Sequence, residues 1–81
     1  MAKLVSKITL GVDVAKDECV VCDWQSDKIL TLPNQNNSIK ACLQSMPGNV
    51  QIAIEPTSHY HMAWVEEALA LGYEVYLINP R

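Results

Sequence analysis

The sequence predicts an α/β fold in which five strands and two helices follow in the order β-β-β-α-β-α-β. Apolar residues alternate over residues 7–14, apolar residues recur at helical spacing over residues 39–46, and helical segments separate the later apolar runs. Helical crossovers imply that the first, fourth and fifth strands pair in parallel, and short turns imply an antiparallel meander for the first three. We therefore expect a mixed five-stranded sheet with helices packed on it.

The first three strands are expected over residues 7–14, 19–24 and 28–32. In the first, aliphatic residues alternate with a set that is small until Asp13, as in a strand with one buried face. Turns of a few residues separate the three segments, which favours hairpins. A fourth strand is expected over residues 50–55 and a fifth over residues 73–78.

The first helix follows a loop of turn-forming residues at positions 33–37. Asn37 or Ser38 is expected to cap it, and Pro47 with Gly48 is expected to end it. Its apolar residues form a single stripe at i, i+3, i+4 and i+7, namely Ile39, Cys42, Leu43 and Met46.

The second helix is expected to be capped by Thr57 or Ser58 and to stop at Gly72. It is apolar over a wide arc, which predicts burial on two sides, by the sheet and by a further element. The apolar residues form two rows, one of Met62, Val65 and Leu69 and one of Tyr60, Trp64, Ala68 and Leu71.

Length and composition limit the class of protein. Eighty-one residues with 49% hydrophobic content are enough for one domain with a real core. No apolar run approaches the roughly 20 residues that cross a bilayer. An odd number of cysteines, three, disfavours a disulfide framework, so we expect a cytoplasmic location with a reducing environment. A net charge of −3 argues against this chain being the main contact with a nucleic-acid backbone.

Two of the predicted strands end in a carboxylate, Asp13 in the first and Glu55 in the fourth. Parallel pairing of these strands would bring both acids to one edge of the sheet, about 4.8 Å apart between strands. The residues two positions earlier, Gly11 and Ala53, are small and would let another backbone approach. Converging carboxylates suit Mg²⁺ or Mn²⁺, although strand-end carboxylates also act as ordinary turn acceptors.

Three blocks of the sequence resemble the N-terminal part of transposases of the IS110 family. They are GVDVAKD at residues 11–17, EPTSHY at residues 55–60 and VYLINPR at residues 75–81. The family is similar to Holliday-junction resolvases of the RuvC type and has a ribonuclease-H-like fold. The resemblance covers nearly the whole chain, in three ordered blocks.

The resemblance implies that Asp13 and Glu55 are the first two of four catalytic, metal-binding acids, with Mg²⁺ or Mn²⁺ as cofactor. The other two, aspartates on a later helix, have no match here, nor does the family's serine-bearing C-terminal domain. Residues 1–81 are therefore expected to be an N-terminal fragment of one RuvC-like catalytic domain, incomplete at its C-terminus and inactive alone. DNA and, in the family, a guide RNA are the implied partners. Ser58 departs from the glycine usual in the family.

The surfaces left open by the missing part are expected to be covered by self-association into a homodimer or higher oligomer. One alternative function is a metal-free assembly module that dimerises through the wide second helix. Another is a nucleotide-binding domain of the sugar-kinase and actin type. That class needs a glycine-rich turn after the first acid, whereas this chain has Val14, Ala15 and Lys16.

Cys19 and Cys22 have the spacing of half a zinc site, and His59 and His61 could add two ligands. Residues three apart in a strand point to opposite faces, so core cysteines are the preferred interpretation. His59 could line the mouth of the acidic site, whereas His61 is expected to pack.

Three further residues have a structural interpretation. Lys16 could steady a phosphate, but a solvated turn lysine fits better. Trp24 and Trp64 are expected to serve packing or an interface.

Overall fold

The structure is a computed structural model that describes residues 8–55 and 59–78. Its elements follow the predicted order, so the expected α/β class with a mixed five-stranded sheet is confirmed. No helix in the described part of the chain is long and apolar enough to cross a membrane. The elements are β1 (Ile8–Val14), β2 (Glu18–Asp23), β3 (Ile29–Pro33), α1 (Asn36–Gln44), β4 (Val50–Glu55), α2 (Met62–Ala70) and β5 (Glu74–Leu77).

The sheet has the strand order β3-β2-β1-β4-β5. β1 pairs with β4 in parallel, and β4 pairs with β5 in parallel. The β1–β2 and β2–β3 pairs are antiparallel, as the short turns predict. This mixed topology places β1 and β4 side by side near the middle of the sheet, where the alternating apolar residues of both strands bury on one face.

A single hydrophobic core lies between that face of the sheet and the two helices. The helices contribute residues to the same cluster as the strands, so both helices cover one face and leave the other open. The buried cluster contains Leu10, Val12, Val14, Cys19, Val21, Leu32, Ile39, Cys42, Leu43, Val50, Ile52, Ile54, Trp64 and Ala68.

Two side-chain hydrogen bonds connect the helices to the sheet across this core. The fully buried Trp64 on α2 donates from Nε1 to Sγ of Cys19 on β2, at 3.0 Å. The Tyr73 hydroxyl, next to β5, donates to the carbonyl oxygen of Leu43 on α1, also at 3.0 Å. Trp64 is therefore a packing residue, as predicted, and it satisfies its polar atom inside the core.

The predicted helix starts need correction. The N-cap of α1 is Gln35, whose side chain makes no capping bond, so the cap predicted at Asn37 or Ser38 is wrong. Both residues already lie inside the helix because the chain turns directly after Pro33. The N-cap of α2 is His61, so this helix begins later than predicted. Thr57 and Ser58, the predicted caps, lie outside the described residues.

The predicted end of α2 is confirmed. Gly72 has a φ of 82°, the left-handed conformation that glycine adopts without strain. Its N–H donates to the carbonyl of Leu69, and the N–H of Tyr73 donates to that of Ala68, both at 3.0 Å. This bond pair is the Schellman arrangement, which satisfies carbonyls at a helix end and turns the chain toward β5.

The wide apolar arc of α2 is buried on one side only. Trp64 and Ala68 are fully buried, whereas Met62 is 49% exposed and Leu69 is 60% exposed. The predicted second covering element is absent from the described residues, because α1 and the sheet both pack against the Trp64 side. We call the row formed by exposed Met62 and Leu69 and half-buried Val65 the α2 ridge.

The three cysteines should differ in reactivity with a thiol reagent at neutral pH. Burial raises the pKa of Cys19 and Cys42 above the usual thiol value, so fewer of these groups are thiolates at a given pH. Cys22 is only half-buried and should react first. Absorbance with Ellman's reagent should show one fast thiol, which Cys22→Ala removes, and raising the pH should speed the other two. Three equal rates would contradict this burial pattern.

Candidate functional site

Asp13 and Glu55 are direct partners in the parallel ladder between β1 and β4. Both side chains are exposed, and both lie on the open face of the sheet, since the residues beside them bury on the helix side. Adjacent strands lie about 4.8 Å apart, so the two carboxylates leave the sheet as neighbours. The predicted meeting of the two acids at one edge of the sheet is therefore confirmed.

The acids border an open cavity of about 170 Å³ on the same face. Its floor includes Gly11 and Ala53, which are also ladder partners and lie two residues before the acids. Two residues of β2 and the turn after it, Cys22 and Trp24, form part of its wall. The small side chain of Ala53 leaves room for a ligand between the acids and the Trp24 wall.

The Trp24 ring occupies the space above Gly11. A Cβ added at Gly11 would lie 2.9 Å from Cε2 of Trp24 and closer still to Nε1, so only glycine fits under the ring. The sequence predicts that another backbone approaches this face of small residues. At Gly11, the Trp24 ring takes that space. Trp24 is still 54% exposed, which leaves part of the indole open to solvent beside the acids.

The electrostatics of the open face favour a cation. Asp13 and Glu55 lie side by side on this face. None of the five described strands contains a lysine or arginine. The face is therefore acidic without a basic strand residue to neutralise it.

The residues present fit a divalent cation that takes part of its ligands from elsewhere. Mg²⁺ is usually held by one or two carboxylates, with water or substrate oxygens completing the octahedron. Asp13 and Glu55 provide such a pair. In the described part of the chain, no group of three or more His, Cys, Asp or Glu residues is arranged to hold a metal ion.

The segments that follow the two acids are tied together by Asn34, just after β3. Its Nδ2 donates to the carbonyl oxygens of Ala15 and Tyr60, at 3.0 Å each, and more weakly to that of Lys16, at 3.4 Å. The sequence predicts residue 34 only as part of a loop.

The other predicted candidates do not join the acids. Cys19 is buried in the core, whereas Cys22 borders the open cavity, so the two cysteines face opposite sides as predicted and hold no common metal. His59 packs against Tyr60 with ring centroids 5.0 Å apart and does not line the cavity. His61 is half-buried, in agreement with a packing role, and Lys16 is exposed.

The mixed sheet, its helix-covered face and its pair of strand-end carboxylates are consistent with the ribonuclease-H-like class of α/β proteins. A family model described as a transposase, DEDD_Tnp_IS110, matches residues 10–81. The chain therefore belongs to this transposase family, and the match corresponds to the N-terminal RuvC-like domain. The resemblance seen in the sequence is confirmed. No curated protein matches the chain.

Gly11→Ala should displace the Trp24 ring and destabilise the fold by about 1 kcal/mol, a typical cost of a tight contact. In a Trp24→Ala background the same change should cost nothing, because the obstructing ring is gone. Chemical denaturation of the four variants measures this coupling. Gly48→Ala is the matched control, since an added Cβ there meets nothing within 4 Å. Equal costs in both backgrounds would rule out the ring as the obstruction.

Proposed function

We propose that the chain is the N-terminal part of the catalytic domain of a DNA transposase that cuts or rejoins strands with Mg²⁺ or Mn²⁺. The observation that carries the proposal is the ladder pairing of Asp13 with Glu55 at the carboxyl ends of adjacent parallel strands. Membership of the transposase family supports the reaction class. Asp13 and Glu55 are the residues to which we assign metal binding and catalysis.

Each part of the acidic edge has a role in this proposal. The exposed carboxylates of Asp13 and Glu55 repel a DNA phosphate on their own, so the substrate can approach them only together with cations. A bound divalent ion supplies Lewis-acid polarisation of a phosphoryl oxygen and a more acidic water. The cavity beside the Trp24 ring, with Ala53 in its floor, gives the reacting group space that a larger side chain at residue 53 would fill.

The proposal requires ligands in addition to the two acids. The resemblance implies two further aspartates beyond residue 81, so we expect residues 1–81 alone to bind a cation weakly and not to cleave DNA. DNA is the proposed substrate, and a guide RNA is the further partner that the resemblance implies. The proposed location is the bacterial cytoplasm.

Asp13→Asn should weaken Mn²⁺ binding by more than about tenfold. Loss of an outer-shell partner of a metal site already weakens binding by about tenfold or more, and Asp13 is a proposed direct ligand. The amide keeps the shape of the side chain but removes its charge. Paramagnetic broadening of backbone NMR resonances by Mn²⁺ detects weak binding, and it should centre on residues 12–14 and 54–55.

Asp27→Asn is the matched control for this substitution. Asp27 is exposed and has a φ of 60°, a conformation that asparagine adopts as readily as aspartate. This variant removes the same charge away from the acidic edge and should keep wild-type broadening. An unchanged Mn²⁺ titration in Asp13→Asn would refute the metal site.

We also propose that the chain self-associates through the α2 ridge of two copies. Half-exposed Met62 and Leu69 lie along one side of the helix, with Glu66 as the one charged neighbour on that side. The open face of the sheet is less suited to pairing with itself, because Asp13, Glu55 and their counterparts would repel across the interface. A helix ridge can pair with its own copy about a twofold axis.

Leu69→Lys should shift the chain toward monomer in sedimentation velocity, because two lysines would face each other in the paired ridges. Ile29→Lys is the control, since Ile29 is equally apolar and 68% exposed but lies on the β3 edge. A monomeric wild-type chain at high concentration, or dissociation by Ile29→Lys alone, would exclude the α2 ridge as the interface.

A further inference from the structure

We infer that Asn34 is a positioning residue for the two acids, because its side-chain amide joins the chain segments that leave both strand ends. This inference rests on the proposed metal site. Ala15, which accepts one bond, lies two residues after Asp13, and Tyr60, which accepts another, lies five residues after Glu55. One amide group thus fixes the distance between the loop after β1 and the segment that enters α2.

The Asn34 contacts are tertiary rather than local. An asparagine that only forms a turn bonds its own backbone about two residues on. The acceptors of the Asn34 side chain instead lie 19, 18 and 26 residues away along the chain. Its backbone N–H adds a fourth long-range bond, to the carbonyl of Asp17 at 3.0 Å. The residue therefore attaches the end of β3 to the loop after β1 and to the segment that enters α2.

The chemistry of the contacts requires an amide. Three carbonyl oxygens converge on one atom of the side chain, so that atom must be the nitrogen, which carries two hydrogens. Flipping the amide would place Oδ1 against the same oxygens. Aspartate has a similar shape, but at neutral pH its carboxylate has no hydrogen to donate. Its negative charge would face the oxygens of three carbonyl groups.

The acceptor side of the Asn34 amide carries an energetic cost. Oδ1 of Asn34 is buried and has no hydrogen-bond partner among the described residues. A buried acceptor without a partner is unfavourable relative to the same group in water. The donor side of the group must offset this cost by holding the two segments together.

Asn34→Asp should lower the affinity of the chain for Mn²⁺ by roughly tenfold, the effect of losing a supporting partner of a metal site. The new negative charge alone would strengthen cation binding, so a loss cannot be a simple charge effect. Asn37→Asp is the matched control, because Asn37 is exposed on α1 and the chemical change is identical. The readout is the Mn²⁺ titration of NMR line broadening, run alongside Asp13→Asn.

The outcomes separate the inference from the proposed function. If Asp13→Asn abolishes binding while Asn34→Asp matches Asn37→Asp, the metal site stands and the positioning role is wrong. If Asp13→Asn leaves binding unchanged, the proposed metal site fails, and the inference fails with it.

A measurement on the wild-type chain covers the case in which Asn34→Asp does not fold. The side-chain NH₂ of Asn34 should exchange slowly with solvent, and Mg²⁺ should slow it further, because coupling between metal binding and the bridge is reciprocal. An NH₂ exchange rate that Mg²⁺ does not change would overturn the inference.

Discussion

The parallel pairing of β1 with β4 is the constraint on which the rest of the structure depends. The ladder runs from Ile8 with Val50 to Asp13 with Glu55, without interruption. Because side chains alternate between faces, a slip of one residue in either strand would move its apolar set out of the core. Burial of the aliphatic residues on one face therefore also determines which residues are paired on the other face. Hydrophobic packing thus keeps Asp13 beside Glu55.

The two faces of the sheet have separate tasks. The large fully buried side chains, including Trp64, lie between the helices and the face that they cover. Trp64 and Tyr73 also donate hydrogen bonds across this core. The open face carries the acids, the cavity and the exposed part of Trp24. Asn34, just after β3, donates to the loop after β1 and to the segment that enters α2.

Much of this arrangement could be predicted from the sequence because it follows from local periodicity. Alternating apolar residues predict β1 and β4, and the helical crossover between them predicts parallel pairing. Together these two patterns predict that Asp13 lies beside Glu55. The position of Trp24 could also have been anticipated. Cys22 is the ladder partner of Gly11, so Trp24, two residues on, is its diagonal neighbour, within reach of an aromatic ring.

Other features could not be predicted, because they depend on contacts between distant segments. The bonds of Asn34 join parts of the chain 18 to 26 residues apart, and no spacing rule identifies them. The helix starts were misplaced for a related reason. Capping preferences name suitable residues, whereas the path of the chain after β3 and β4 decides where helical geometry begins.

The exposure of Asp13 and Glu55 affects what a mobile genetic element encodes after its transposase gene has mutated. Both carboxylates are exposed and lie outside the buried core cluster, so loss of either charge leaves the packing of the core unchanged. A copy of the element whose acid codons had mutated would still encode a folded protein. Under the pairing proposed for the α2 ridge, such an inactive protein would compete with active copies for the same partner.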